Sequence, residues 1–141
     1  MGLVVDTSVF VQAERAYPQP LPAFTPQGLL RKVGEDIYAI SAITLMELAF
    51  GHSFRSRLPA ALRDRILYEL REEFTVVDIN DRLAVSAGEL NAQIRRGGHT
   101  IGILDVLIAA TALELGFGVL THNTRHFNYV PNLRVIDAAS F

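Results

Sequence analysis

The chain has no cysteine in its 141 residues. That excludes disulfide scaffolds, zinc–thiolate sites, iron–sulfur clusters and thiol catalysis, and no oxidising compartment is needed. Lysine is nearly missing: among 13 basic residues only Lys32 is not arginine. Wherever the arginines cluster, bidentate phosphate contacts are favoured. Neither sign of charge dominates. The formal net charge is −2, so contact with nucleic acid would need a local basic patch rather than bulk charge. No apolar run approaches the roughly 20 residues of a membrane helix. The start, Met1 to Asp6, has no basic region and meets a carboxylate at once, a poor signal peptide. A soluble, cytoplasmic protein without a membrane partner is expected. With 50% hydrophobic and 20% charged residues, the composition is globular, and the length predicts one domain over residues 1–141.

Short apolar runs alternate with helical patterns along the chain. Leu3-Val4-Val5 reads as a buried strand ending at Asp6, and Thr7 or Ser8 can cap a helix to about Arg15. Pro18, Pro20 and Pro22 mark a loop. A helix is expected after Thr25-Pro26, ending near Gly34. Ile37 to Ile40 reads as a strand, followed by a helix capped by Ser41 or Thr44 and stopped at Gly51. Pro59 opens a helix with Leu62, Ile66, Leu67, Leu70 and Phe74 at helical spacing, and Thr75 to Val77 is a strand. Helices follow over 81–96 and 103–115, each ended by glycine, then strands at 119–121 and 133–135. This alternation predicts an α/β fold with a largely parallel sheet. Ligands in such sheets bind outside the carboxyl ends of the strands, where Asp6 and Thr121-His122-Asn123 fall.

Three acids stand alone. Asp6 is the only charge between Met1 and Gln12, Glu47 the only one between Ala39 and Gly51, and Asp105 the only one between Gly97 and Leu113. Removing an ionised carboxylate from water costs several kcal/mol unless something compensates. An arginine, a set of backbone amides or a metal ion would serve. Hard cations such as Mg²⁺ and Mn²⁺ prefer carboxylate oxygens and water, and three acids from three segments can converge on one ion at the strand ends. The alternative is three separately satisfied groups: Asp6 on amides after its strand, Glu47 on a helix surface, Asp105 near a helix start.

The segments that carry these acids resemble the motifs of PIN-domain nucleases. Val4-Val5-Asp6-Thr7-Ser8-Val9-Phe10 is similar to the family's opening strand and turn, and Ile40 to Gly51, with Glu47, to its second acidic motif. Leu104 to Ala112, with Asp105, is similar to the third, and Leu120-Thr121-His122-Asn123-Thr124-Arg125-His126-Phe127 to the fourth. The order is right and nearly the whole chain is covered. The compact form most resembles VapC toxins of type II toxin–antitoxin modules.

The resemblance implies a PIN-like three-layer α/β/α fold with a short, mainly parallel central sheet. It implies a ribonuclease that uses Mg²⁺ or Mn²⁺, with Asp6, Glu47 and Asp105 as metal ligands and, with Asn123, as the catalytic set. Asn123 departs from the acid that the family often carries there. It adds no negative charge, so one tightly bound ion is the expectation. Attack by a metal-activated water would leave a 5′ phosphate and a 3′ hydroxyl. The implied partners are the RNA substrate, a cognate VapB-like antitoxin, held in a groove between the helices around 44–54 and 59–74, and a second copy of the chain.

Other residues have two readings each. Thr7, Ser8 and Thr121 can touch the scissile phosphate or serve only as caps and strand-end hydroxyls. Arg125 can contact phosphate or be a solvated loop arginine. His122 and His126 can shuttle protons, although metal-dependent hydrolysis needs no histidine and their loop is expected to be exposed. Arg55, Arg57, Arg63 and Arg65 can guide RNA, or form an ordinary solvated helix face beside Glu69, Glu72 and Glu73. The competing function is a non-catalytic RNA-binding or protein-interaction module on the same fold, and the three retained acids argue against it. A phosphotransferase using Asp6 as nucleophile wants a second Asp where Ser8 stands, and no Gly-x-Gly-x-x-Gly follows the first strand.

Overall fold

A computed structural model describes residues 1–15 and 26–141. The expected loop at Pro18, Pro20 and Pro22 lies outside the described residues. In chain order the elements are β1 (Gly2–Val5), α1 (Thr7–Arg15), α2 (Pro26–Val33), β2 (Ile37–Ser41), α3 (Ala42–Phe54), α4 (Ala60–Glu73) and β3 (Thr75–Val77). They continue with α5 (Asp81–Arg96), α6 (Ile103–Leu115), β4 (Gly118–Thr121), α7 (Thr124–Phe127) and β5 (Val135–Asp137), before a 3-10 turn at Ala138–Ser140.

The five strands form one sheet in the order β3-β2-β1-β4-β5, and every neighbouring pair is parallel. Side chains alternate across the pleat, so each strand serves two cores. Val4, Ala39 and Val119 face one way, into a core with Leu83, Ile94, Ile108 and Phe127 from α5, α6 and α7. Leu3, Val5, Tyr38, Ile40 and Leu120 face the other, with Phe10, Leu48, Ile66 and Leu70 from α1, α3 and α4. Helices therefore cover both faces, giving the expected three layers. Coverage on both faces also explains why the central strands are apolar at consecutive positions rather than alternating.

Three local readings need correction. The helix after Asp6 begins at Thr7 itself, so Thr7 and Ser8 lie inside its first turn rather than capping it. Gly51 does not stop α3. The helix runs through it to Phe54, and Arg55 closes it by donating its N–H to the Gly51 carbonyl at 3.0 Å. A helical glycine costs only about 1 kcal/mol, and the extra turn buries His52, whose Nε2 lies 2.7 Å from Glu14 Oε1 on α1. The last strand is Val135–Asp137, two residues later than expected, because Val135 pairs with Val119 and Ile136 with Leu120.

Chain order builds the site. The sheet grows from β1 through β2 to β3, then reverses so that β4 and β5 add on the other side of β1. The crevice between β1 and β4 is thus the point where strand order switches, the favoured ligand position in open parallel sheets.

Candidate active site at the strand ends

Asp6 follows β1 directly and is buried, at 4% exposure. Its backbone N–H donates to the Leu120 carbonyl at 2.9 Å, holding it against β4. Oδ2 accepts hydrogen bonds from Ser8 Oγ at 2.6 Å and from Thr121 Oγ1 at 2.8 Å. Thr121 Oγ1 also accepts the Asn123 backbone N–H at 2.8 Å, and Ser8 Oγ accepts that of His122 at 3.0 Å. Two hydroxyls thus tie the ends of β1 and β4 around one carboxylate.

Glu47 projects from α3, which Ser41 caps by accepting the Ile43 N–H at 3.1 Å. The Thr7 hydroxyl donates to Glu47 Oε1 at 2.7 Å and lies 3.0 Å from the buried Thr44 hydroxyl. Partial burial pushes the Glu47 carboxyl up from its ordinary range. The Thr7 bond opposes this, while the negative charges of Asp6 and Asp105 push the same way. Asp105 lies in the first turn of α6. Burial raises its carboxyl as well, opposed by a hydrogen bond from His126 and reinforced by the charge of Asp6. Asp105 Oδ2 accepts from Asn123 Nδ2 at 3.3 Å and lies 3.2 Å from His126 Nδ1, and the Asn123 amide is 2.8 Å from the same ring nitrogen.

The three acids therefore lie within electrostatic reach of one another, with Asn123 and Thr121 beside them. They are not drawn into a single cage. Among the described residues no three His, Cys, Asp or Glu side chains stand close enough to hold an ion by themselves. Like charges separate when nothing positive lies between them, and each acid instead takes a neutral donor. The donors engage one oxygen of each: Oδ2 of Asp6, Oε1 of Glu47 and Oδ2 of Asp105. No hydrogen bond from a described residue reaches the second oxygen of any of them. Hard oxygens without donors, in a partly dry setting, are chemically suited to a hard divalent cation.

The weaker candidates separate in the structure. Thr7, Ser8 and Thr121 each donate a hydrogen bond to one of the acids. Arg125 is exposed on α7 and has no ion pair among the described residues. Arg65 pairs with Glu69 at 2.7 Å, and Arg63 Nη1 donates to the His52 carbonyl, so the 55–65 arginines are partly committed to α3 and α4. The fourth motif is not a plain exposed loop. It forms the short helix α7, with Phe127 fully buried and His126 turned to Asp105. Four residues are too few for a helical period to register in sequence. Thr44 beside Thr7 and the His52–Glu14 pair were missed, because nothing local links residues 37 and 38 positions apart.

A PIN domain profile matches residues 3–133. The chain is 33% identical over 100 residues to the tRNA(fMet)-specific endonuclease VapC of Salmonella typhimurium, covering 70% of this chain and 73% of that protein. It is 29% identical over 133 residues to Ribonuclease VapC2 of Rickettsia felis, covering 94% and 95%. Among solved structures, VapBC2 from Rickettsia felis bound to a DNA fragment from their promoter superposes with a TM-score of 0.77 at 26% identity, covering 96% of this chain and 98% of that one. No helix among the described residues is long and apolar enough to cross a membrane.

Proposed function

The chain belongs to the PIN domain family, and from that premise we propose that it is a VapC-type toxin, an endoribonuclease that hydrolyses RNA phosphodiester bonds with a divalent ion. The observation that carries the reading is geometric. Thr121 bonds both Asp6 and the Asn123 N–H, the Asn123 amide bonds Asp105, and Thr7, next to Asp6, bonds Glu47, so acids from three separate motifs are linked at the strand ends. Anions at an RNA-binding surface repel the substrate unless a cation lies between, which weighs against a purely binding module.

In this reading Asp6 and Glu47 hold the ion through the oxygens that lack protein donors, and Asp105 holds it through its carboxylate. A divalent cation there neutralises charge on the phosphate and lowers the pKa of a bound water. Ser8 and Thr121 fix the Asp6 carboxylate, Thr7 fixes Glu47, and the Asn123 amide orients Asp105. The exposed guanidinium of Arg125 reaches for substrate phosphate beside the site. Residues 1–141 act as one domain. The relatives named VapBC support a VapB-type antitoxin as partner. Exposed Met46, Phe50 and Phe54 on α3, the two phenyl rings stacked at 5.4 Å, offer apolar surface to that antitoxin or to a second copy.

Incubating a mixed tRNA and mRNA pool with the protein and Mg²⁺ or Mn²⁺, beside EDTA and Asp105→Asn controls, tests the reading. Cuts that need metal and vanish in the variant are expected, and their mapped ends identify the substrate. No cutting by protein verified free of co-purified antitoxin would turn the assignment toward a binding module.

A further inference from the structure

The corner of the site around Asp105 has a shape that the three acids alone do not explain. Asp105 Oδ2, His126 Nδ1 and the Asn123 amide are separated by 3.2, 2.8 and 3.3 Å. Ligands at about 2.1 Å in an octahedron lie about 3.0 Å apart along each edge of a face. The triangle therefore has the dimensions of one octahedral face. The Asn123 amide presents Nδ2 in the hydrogen-bonded arrangement, and half a turn about its last bond puts Oδ1, a metal-ligating oxygen, in the same place. His126 is 42% exposed, so its ring can adjust without disturbing the core, while the adjacent, fully buried Phe127 anchors α7.

We propose that His126 is a direct metal ligand, completing with Asp105 and Asn123 a mixed nitrogen–oxygen face that makes the centre prefer Mn²⁺ over Mg²⁺. This rests on the reading that Asp105 holds the ion. Mg²⁺ takes oxygen ligands and gives up water reluctantly, so an imidazole adds little to its binding. First-row transition ions accept imidazole nitrogen readily. The remaining octahedral positions stay open to water, the other acids and substrate phosphate.

Two measurements on the whole protein test this without reference to activity. Pulsed EPR of the Mn²⁺-loaded protein should show the coupling of a directly bound imidazole nitrogen, and His126→Ala should remove it. Affinity for Mn²⁺ should fall about tenfold in that variant, while affinity for Mg²⁺ changes by less than about twofold. An equal loss for both ions would overturn the proposal, because His126 would then act only by orienting Asp105. Wild-type protein that takes up no Mn²⁺, or binds it with no nitrogen coupling, would overturn it as well. Should His126→Ala fail to fold, His126→Gln, which keeps a polar side chain but no imidazole, should remove the coupling in its place, and a coupling that persists in it would overturn the proposal. RNA cleavage plays no part in these readouts. A protein that binds Mn²⁺ through His126 but cuts no RNA would uphold the ligand assignment and sink the ribonuclease reading.

Discussion

Thr121 Oγ1 donates to Asp6 Oδ2 at 2.8 Å across 115 positions of sequence, and both residues are buried. That bond closes the crevice between β1 and β4 at the point where strand order reverses. It makes the placement of the first acid depend on the fourth motif, and Asn123 depends on the same hydroxyl through its backbone N–H.

Thr121→Val should therefore leave a buried carboxylate with one donor fewer and a backbone N–H without its acceptor. A stability loss of about 1–3 kcal/mol is expected, read by urea denaturation, together with weaker cleavage. Unchanged stability would mean that water replaces both contacts.

Asp105→Asn should lower cleavage by at least the roughly 100-fold that losing even an outer partner of a metal can cost. The metal-free melting temperature should hold or rise, because burial and the charge of Asp6 both oppose the ionised carboxyl. A clear fall in that temperature would instead make Asp105 a structural residue.

The pH dependence follows from the raised carboxyls of Glu47 and Asp105. A carboxyl raised in the native state binds its proton more tightly there than in the unfolded chain. Between the unfolded value and the higher native one, the native state holds more protons, so these two groups lower stability as pH rises. Above both native values their full cost is present. A bound cation competes with those protons. The melting-temperature increase caused by Mn²⁺ should thus be small near pH 4 and grow toward neutrality, as thermal unfolding at several pH values would reveal. A shift independent of pH would remove Glu47 and Asp105 from the ligand set.

Gly118 opens β4 beside β5, and a Cβ placed on it would lie 2.8 Å from the Arg134 carbonyl oxygen, which is backbone. Gly118→Ala should force the two strands apart and cost about 1–3 kcal/mol, measured by chemical denaturation. Because Thr121 ends the same strand, a parallel loss of cleavage is expected. An alanine variant of native stability would show that β5 can move at no cost.

Much of the fold was legible because it rests on local chemistry. Ile103–Leu115 begins and ends where expected, closed by Gly116 at φ 69°, a left-handed position that glycine adopts without a Cβ clash. Pro59 before α4 stands at a helix start in the same local way. The misplacements at Gly51 and at the last strand came from tertiary demands: the burial of His52 against Glu14, and the register with β4.

The candidate site divides along the same line. The sequence by itself determined which acids are unusual, since isolation among apolar neighbours is a property of the chain, and it ordered the four motifs. Only the tertiary structure decided what surrounds each acid. The strand order 3-2-1-4-5 brings Thr121 to Asp6, α1 brings Thr7 to Glu47, and α7 turns His126 toward Asp105. None of these pairings has a periodic trace in sequence, because each is a contact between segments that only the packed sheet and its two helical layers bring together.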